Sequence, residues 1–179
     1  MNTSSIAKSH WLSGQNKKGA VIRSLGLLLA ALLWPLATAQ GAVYSFNTEN
    51  PNTSLNPNTG QTIRLNGGGT FDTDLDTVLA TGSYSIRDAG GQVIERGTWA
   101  ATDYVSFEAQ GGVNPGLQGG VLDITVTLFP KGGTPRTNVP MIFICPFESG
   151  VFDEGDDGTI VGDFTVFTGG ITVLHLVNP

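Results

Sequence analysis

The sequence predicts an all-β fold: an antiparallel small barrel of about eight strands, with a two-sheet β-sandwich as the alternative. Three observations carry this. Beyond residue 60 the chain is short β-branched and aromatic runs punctuated by glycine pairs and triplets, Gly67-Gly68-Gly69, Gly90-Gly91, Gly111-Gly112, Gly119-Gly120, Gly132-Gly133 and Gly169-Gly170. Leu122, Ile124, Val126 and Leu128 alternate with Val121, Asp123, Thr125 and Thr127, the period of two of a half-buried strand. After residue 40 no helical period competes with it. A single antiparallel sheet of this length has to hide its edges, and closure does so. Runs such as Thr137 to Cys145 and Thr159 to Val177 are apolar on both faces, which favours the barrel over the sandwich.

The N-terminus has a different character. Lys17, Lys18 and Arg23 precede the apolar run Leu25 to Trp34, and Ala37-Thr38-Ala39 follows. A basic stretch, a short apolar helix and small residues at the cleavage positions make a secretory signal peptide over 1–39, leaving Gln40 as the first mature residue. The apolar run is too short for the ~20 residues of a membrane-spanning helix, and Pro35 closes it. There is no twin-arginine pair and no lipid-accepting cysteine after it. A secreted or extracytoplasmic location is therefore expected, with no membrane span after cleavage.

Residues 47–60 read NTENPNTSLNPNTG, in which Leu55 is the one apolar side chain. So little hydrophobic surface points to an extended N-terminal segment or linker over 40–60, ahead of one all-β domain over 61–179. Asn52-Thr53-Ser54 fits a glycosylation acceptor, a pattern that arises easily in an Asn-rich stretch. Strands are expected at about 42–46, 61–65, 77–87, 92–101, 103–109, 120–129, 137–145 and 159–168, with 170–177 as a ninth. Pro140 marks a bulge or an edge, since it has no N–H to donate.

One hairpin can be read closely. If Asp88-Ala89-Gly90-Gly91 closes a four-residue loop, Arg87 faces Gln92, Tyr84 faces Glu95, Gly82 faces Gly97 and Ala80 faces Trp99. Tyr84, Glu95 and Trp99 then share a face with glycine and alanine, which clears room for an indole or for a flat ligand. These three are the candidate ligand-binding residues. Glu95 is placed at the wet rim, where Tyr84 can donate a hydrogen bond to it.

Charge and cysteine narrow the function. Four of the nine basic residues lie in 1–39 and all fifteen acids lie beyond it, so the mature chain has five bases against fifteen acids and a formal charge of −10. Nucleic acid and anionic membranes need a positive footprint and are not expected as partners. Cys145 is the single cysteine, within Ile142-Phe143-Ile144-Cys145-Pro146, and reads as a small buried hydrophobe. Hydrolase motifs are absent: there is no Gly-x-Ser-x-Gly elbow and no His-Glu-x-x-His, and His175 is the one mature histidine. Asp153, Glu154, Asp156 and Asp157 crowd around Gly155 and Gly158 and form a candidate calcium site, calcium being the one cofactor this composition suggests; Asp72, Asp74 and Asp76 are a second acidic cluster. Neither completes an EF-hand loop.

Gly67-Gly-Gly-Thr-Phe71, Gly82-Ser-Tyr84, Gly97-Thr-Trp99-Ala-Ala-Thr102 leading to Val105-Ser-Phe107, Gly119-Gly-Val-Leu122 and Ile144-Cys145-Pro146 span nearly all of the mature chain. In these the chain resembles small secreted microbial all-β proteins of unknown function. The resemblance implies secretion and an all-β fold and carries no site across. A looser likeness in kind, to the small barrels of allene oxide cyclases and dirigent proteins, is one of fold alone. The sequence thus points to a secreted, non-catalytic β-domain with an extracellular binding or structural role, toward a small apolar or carbohydrate-like molecule or an extracellular surface component. The alternative is an enzyme using inward carboxylates of a barrel cavity, such as Glu95 with Glu108 or Asp103.

Overall fold

A computed structural model of the protein describes residues 42–112, 116–145 and 157–178. Eight strands follow one another: Val43–Leu55 (β1), Thr62–Asp72 (β2), Thr77–Arg87 (β3), Val93–Ala109 (β4), Gly120–Pro130 (β5), Arg136–Cys145 (β6), Gly158–Val161 (β7) and Val166–Asn178 (β8). All pairings are antiparallel, and the strands make one sheet in the order β7-β6-β5-β4-β3-β2-β1-β8. That sheet curls into a nearly closed barrel, with β7 and β8 as its two edges. These strands lie within Gln40–Pro179, which forms a compact unit by itself.

The seam between β7 and β8 is closed by side chains instead of a backbone ladder. Asn52 on β1 donates from Nδ2 to Thr159 Oγ1 on β7 at 2.6 Å and to Thr172 Oγ1 on β8 at 2.7 Å. Ser54 Oγ donates to the carbonyl of Thr159. The β1–β8 register shifts three times between Thr48 and Ser54, β1 carrying the extra residue at the first two shifts and β8 at the third, so the pair is irregular where these side chains cross. Gly170, at φ +130°, makes the crossing feasible: a Cβ there would fall 2.5 Å from Asn52 Cα and 2.1 Å from Asn52 Oδ1.

Residues 47–55, expected as part of a linker, are instead the greater part of β1, which is hydrogen-bonded on both sides. Composition misleads here because few apolar side chains suggest little burial, whereas this strand turns polar ones inward. Thr48, Asn52 and Ser54 are buried, and each hydrogen-bonds to another strand, Thr48 Oγ1 accepting from the Gly67 N–H at 2.9 Å while the Asn52 amide and the Ser54 hydroxyl donate to Thr159. The true loop is 56–61, where Asn56 Oδ1 accepts the N–H of Asn58 at 2.9 Å. Asn52 is 0% exposed, so the Asn52-Thr53-Ser54 pattern presents no amide for glycosylation on the folded surface.

The expected strands 92–101 and 103–109 are one 17-residue strand, bent at irregularities between Ala101 and Asp103 and between Tyr104 and Ser106. The expected 159–168 divides into β7 and the start of β8, and 170–177 completes β8. In the β3–β4 hairpin the pairs are Arg87 with Val93, Ile86 with Glu95, Tyr84 with Gly97 and Gly82 with Trp99, which corrects the expected register. The turn is one residue longer than read, and a bulge at Ile94 adds a second. A slip of one would have turned every side chain to the opposite face, whereas a slip of two returns each to the expected one.

The barrel interior is filled. Trp99, Phe71, Phe143, Ile63, Leu65, Leu122, Ile124, Met141 and Leu174 are all under 2% exposed. Phe46 meets Phe143 at 4.7 Å between centroids, Trp99 meets Phe143 at 6.1 Å, and Tyr44, Phe71 and Phe107 form a second group at 4.8–5.0 Å. Eight strands enclose a space just wide enough for such side chains to meet across the axis.

Candidate functional site

Of the three candidate ligand-binding residues, Trp99 is core. Its indole is 1% exposed and Nε1 donates to the carbonyl of Asn66 at 3.0 Å. Gly82 and Gly67 leave the room for it: a Cβ on Gly82 would lie 2.4 Å from Nε1 and 1.9 Å from the Asn66 carbonyl, and one on Gly67 2.6 Å from the ring. The cleared space is occupied by the indole itself.

Tyr84 and Glu95 do come together, at the end of the barrel that carries the β3–β4 turn. Tyr84, 4% exposed, donates from its hydroxyl to Glu95 Oε1 at 2.7 Å. Arg136, at the start of β6, makes an ion pair with the same oxygen and donates to the Tyr84 hydroxyl at 3.3 Å, its guanidinium 6.0 Å from the ring centroid. Burial, joined by the hydrogen bond to Glu95, pushes the Tyr84 hydroxyl up to about 12, so it stays a donor at physiological pH. The cluster caps one end of the core with its charges paired. Arg136 was not foreseen, because it reaches Glu95 only through the register of two further strand pairs, Gly97 with Pro130 and Leu128 with Arg136. Asp103 and Glu108 are further along the same strand; at roughly 3.3 Å per residue, Asp103 is about 25 Å from Glu95. Neither forms a carboxylate pair with it.

Of the four candidate calcium ligands, Asp153, Glu154 and Asp156 lie outside the described residues. Asp157 is half-buried and accepts the N–H of Thr172 on Oδ1 at 3.2 Å. Among the described residues no three His, Cys, Asp or Glu side chains are grouped to hold a metal. Asp72 of the other acidic cluster serves its turn, Oδ1 accepting the N–H groups of Asp74 at 2.9 Å and Leu75 at 3.0 Å.

Burial raises the Asp157 carboxyl from 3.8 to about 6, partly offset by the Thr172 hydrogen bond. The folded state therefore holds this proton more tightly than the unfolded chain, and its contribution to stability is full below about pH 4 and lost as pH rises through 6. Denaturant melts of the protein and of Asp157→Asn between pH 4 and 7 are expected to differ in this slope, the variant being flatter; identical slopes would contradict the assignment.

Cys145 is 7% exposed, and burial, with the nearby charge of Asp157, pushes its thiol up to about 11. At pH 8 almost none of it is thiolate. A thiol reagent is expected to label the protein only after denaturation, and rapid labelling of the folded protein would refute the burial.

A surface cleft runs over β8 and β1 and reaches β2 and the end of β3. Glu49, Asn50, Thr53, Thr62, Arg64 and Arg87 line one flank and His175 the other, and the cleft extends to Asp157 and Cys145. Sequence reasoning missed it, since its lining comes from segments far apart in the chain whose adjacency follows from β8 pairing with β1. No family model, curated protein or solved structure matches this chain.

Proposed function

We propose that this is an exported, non-catalytic β-barrel that binds an extracellular partner on its outer surface, with a carbohydrate-like molecule as the ligand. The observation that carries this reading is the filled interior. An apolar ligand would have to displace Trp99, Phe71 and Phe143, each under 2% exposed, from a close-packed core. The apolar-ligand form of the reading therefore loses to the surface form. Glu95 is the inward carboxylate an enzyme in the barrel would use, and its Oε1 already takes the Tyr84 hydroxyl and the Arg136 guanidinium. The outer face offers hydroxyls, amides and guanidiniums along a cleft, the groups that hydrogen-bond to sugars. The signal-like N-terminus supplies the route to such a partner.

Chemical-shift mapping with a panel of oligosaccharides and a fluorescent fatty-acid analogue tests the reading. Shifts are expected at outward residues such as Thr62, Arg64 and His175. Shifts centred on Trp99 and Phe143, or uptake of the fatty-acid analogue, would overturn it.

A further inference from the structure

All five cations beyond Gln40 (Arg64, Arg87, Arg96, Lys131 and Arg136) lie within four residues of three loops, 56–61, 88–92 and 131–135. Up-and-down connectivity puts these loops at the same end of the barrel. The described acids beside these loops and the fourth connection at this end, 162–165, are Asp88, Glu95 and Asp163. Glu95 is neutralised by Arg136, and Asp88 Oδ1 accepts the N–H of Gln92. In a chain with a formal charge of −10 beyond Gln40, one end is thus locally positive.

The cations are also arranged. Arg64, Ser85 and Arg96 are lateral neighbours on β2, β3 and β4, and Arg87 is two residues from Ser85 on the same face. Ile63, Leu65, Tyr84 and Ile86 point into the core, so these three arginines point out. Two strand spacings separate Arg64 from Arg96, about 10 Å at the backbone, with Arg87 beside the line between them. Among the described residues the one ion pair is Arg136 with Glu95, so none of the three has a described carboxylate within 4.0 Å. Arg87 is held by its own turn, Nη1 donating to the Gly91 carbonyl at 2.8 Å. Around them the outward face is hydroxylic, with Thr62 opposite Arg87 and Ser83 opposite Thr98. Beyond Thr98 its neighbour on β5 is Phe129, a ring left 43% exposed.

We propose that this outer face of β2–β5, with Arg64, Arg87 and Arg96 as its cations and Phe129 as its apolar edge, binds an acidic polysaccharide bearing carboxylate groups. The proposal rests on the reading that the barrel binds carbohydrate on its outside and gives that ligand its chemical class. Guanidinium forks match carboxylates in bidentate geometry, and three of them over this span meet more than one anionic group of a polymer charged on each sugar. Serine and threonine hydroxyls answer the sugar hydroxyls, and an exposed ring covers the apolar face of a pyranose. A long polyphosphate carries a denser charge and is repelled by the acidic remainder of the molecule, which favours the sugar polymer over nucleic acid.

The test is calorimetric titration of the purified protein with oligogalacturonate at about 20 mM and about 500 mM salt, with neutral dextran and single-stranded DNA alongside. Oligogalacturonate is expected to bind at low salt and to weaken at least about tenfold at high salt. The triple variant Arg64→Gln, Arg87→Gln, Arg96→Gln is expected to lose at least about tenfold in affinity while melting as the parent does. Arg96→Glu alone changes an exposed side chain and tests the same face should the triple variant fold poorly; it too is expected to weaken binding. Phe129→Ala should weaken binding without altering its salt dependence. Absence of oligogalacturonate binding at low salt, an undiminished affinity in both arginine variants, or tighter binding to the DNA would overturn the proposal. Binding to dextran without binding to oligogalacturonate would overturn it and leave surface carbohydrate binding standing.

Discussion

Replacing Trp99 by alanine is expected to lower the stability of the barrel by about 3–5 kcal/mol, the cost of deleting a large buried aromatic side chain. The indole is 1% exposed, lies against Phe143, and fills the space that Gly67 and Gly82 leave open on two neighbouring strands. Its removal empties a volume that β-carbons of the surrounding sheet cannot enter, because two of the nearest residues have none. It also takes the indole N–H from the Asn66 carbonyl, which adds the cost of an unpaired acceptor. Denaturant unfolding monitored by circular dichroism gives the number. In a domain of this size the same loss is a fall in melting temperature on the order of 10 °C or more. A variant that melts within a degree or two of the parent would mean that the indole does not bear on the core.

Tyr84 and Glu95 offer a smaller contrast on the same hairpin. Their hydrogen bond lies at the rim, where Glu95 keeps 30% of its side chain in solvent and Arg136 keeps 45%. Pairs this exposed contribute about 0.2–1 kcal/mol. The hairpin therefore grades from an energetically dominant residue in the barrel's middle to a weakly contributing cluster at its end.

The sheet was legible where polarity and position agree. Leu122, Ile124, Val126 and Leu128 alternate in sequence, and each is 4% exposed or less. The shared face of Tyr84, Glu95 and Trp99 was legible too, because the error in register was an even number of residues. What could not be read was decided between distant strands. A bulge such as that at Ile94 leaves no compositional mark, and the meeting of Arg136 with Glu95 spans 41 residues of chain. The inward polarity of β1 was the deepest concealment. Asn52 and Ser54 look like linker residues until β7 and β8 are brought beside them, and the seam that requires them exists only once the barrel has almost closed.

That seam supplies the second large effect, Asn52→Ala. The amide reaches two hydroxyls, Thr159 on one edge strand and Thr172 on the other, and all three residues are 1% exposed or less. Truncation leaves both hydroxyls buried without their donor, at about 1–3 kcal/mol for each group so stranded. One effect of opposite sign lowers the sum. Asn52 Oδ1 is a buried acceptor with no hydrogen-bond partner among the described residues, lying against Gly170, and its removal relieves that cost. The expected loss is about 2–3 kcal/mol, toward the lower end of the summed range. Its location is the sharper signature. β7 is four residues long and is tied to β8 across the gap by this amide, so hydrogen exchange is expected to quicken in Gly158–Val161 and along β8 while β3 and β4 keep their protection. Thr53→Ala, one residue away and on the opposite face, is the control, expected within about 0.5 kcal/mol of the parent. Should Asn52→Ala behave like that control, with exchange in β7 unchanged, the barrel would be held shut by something other than this amide.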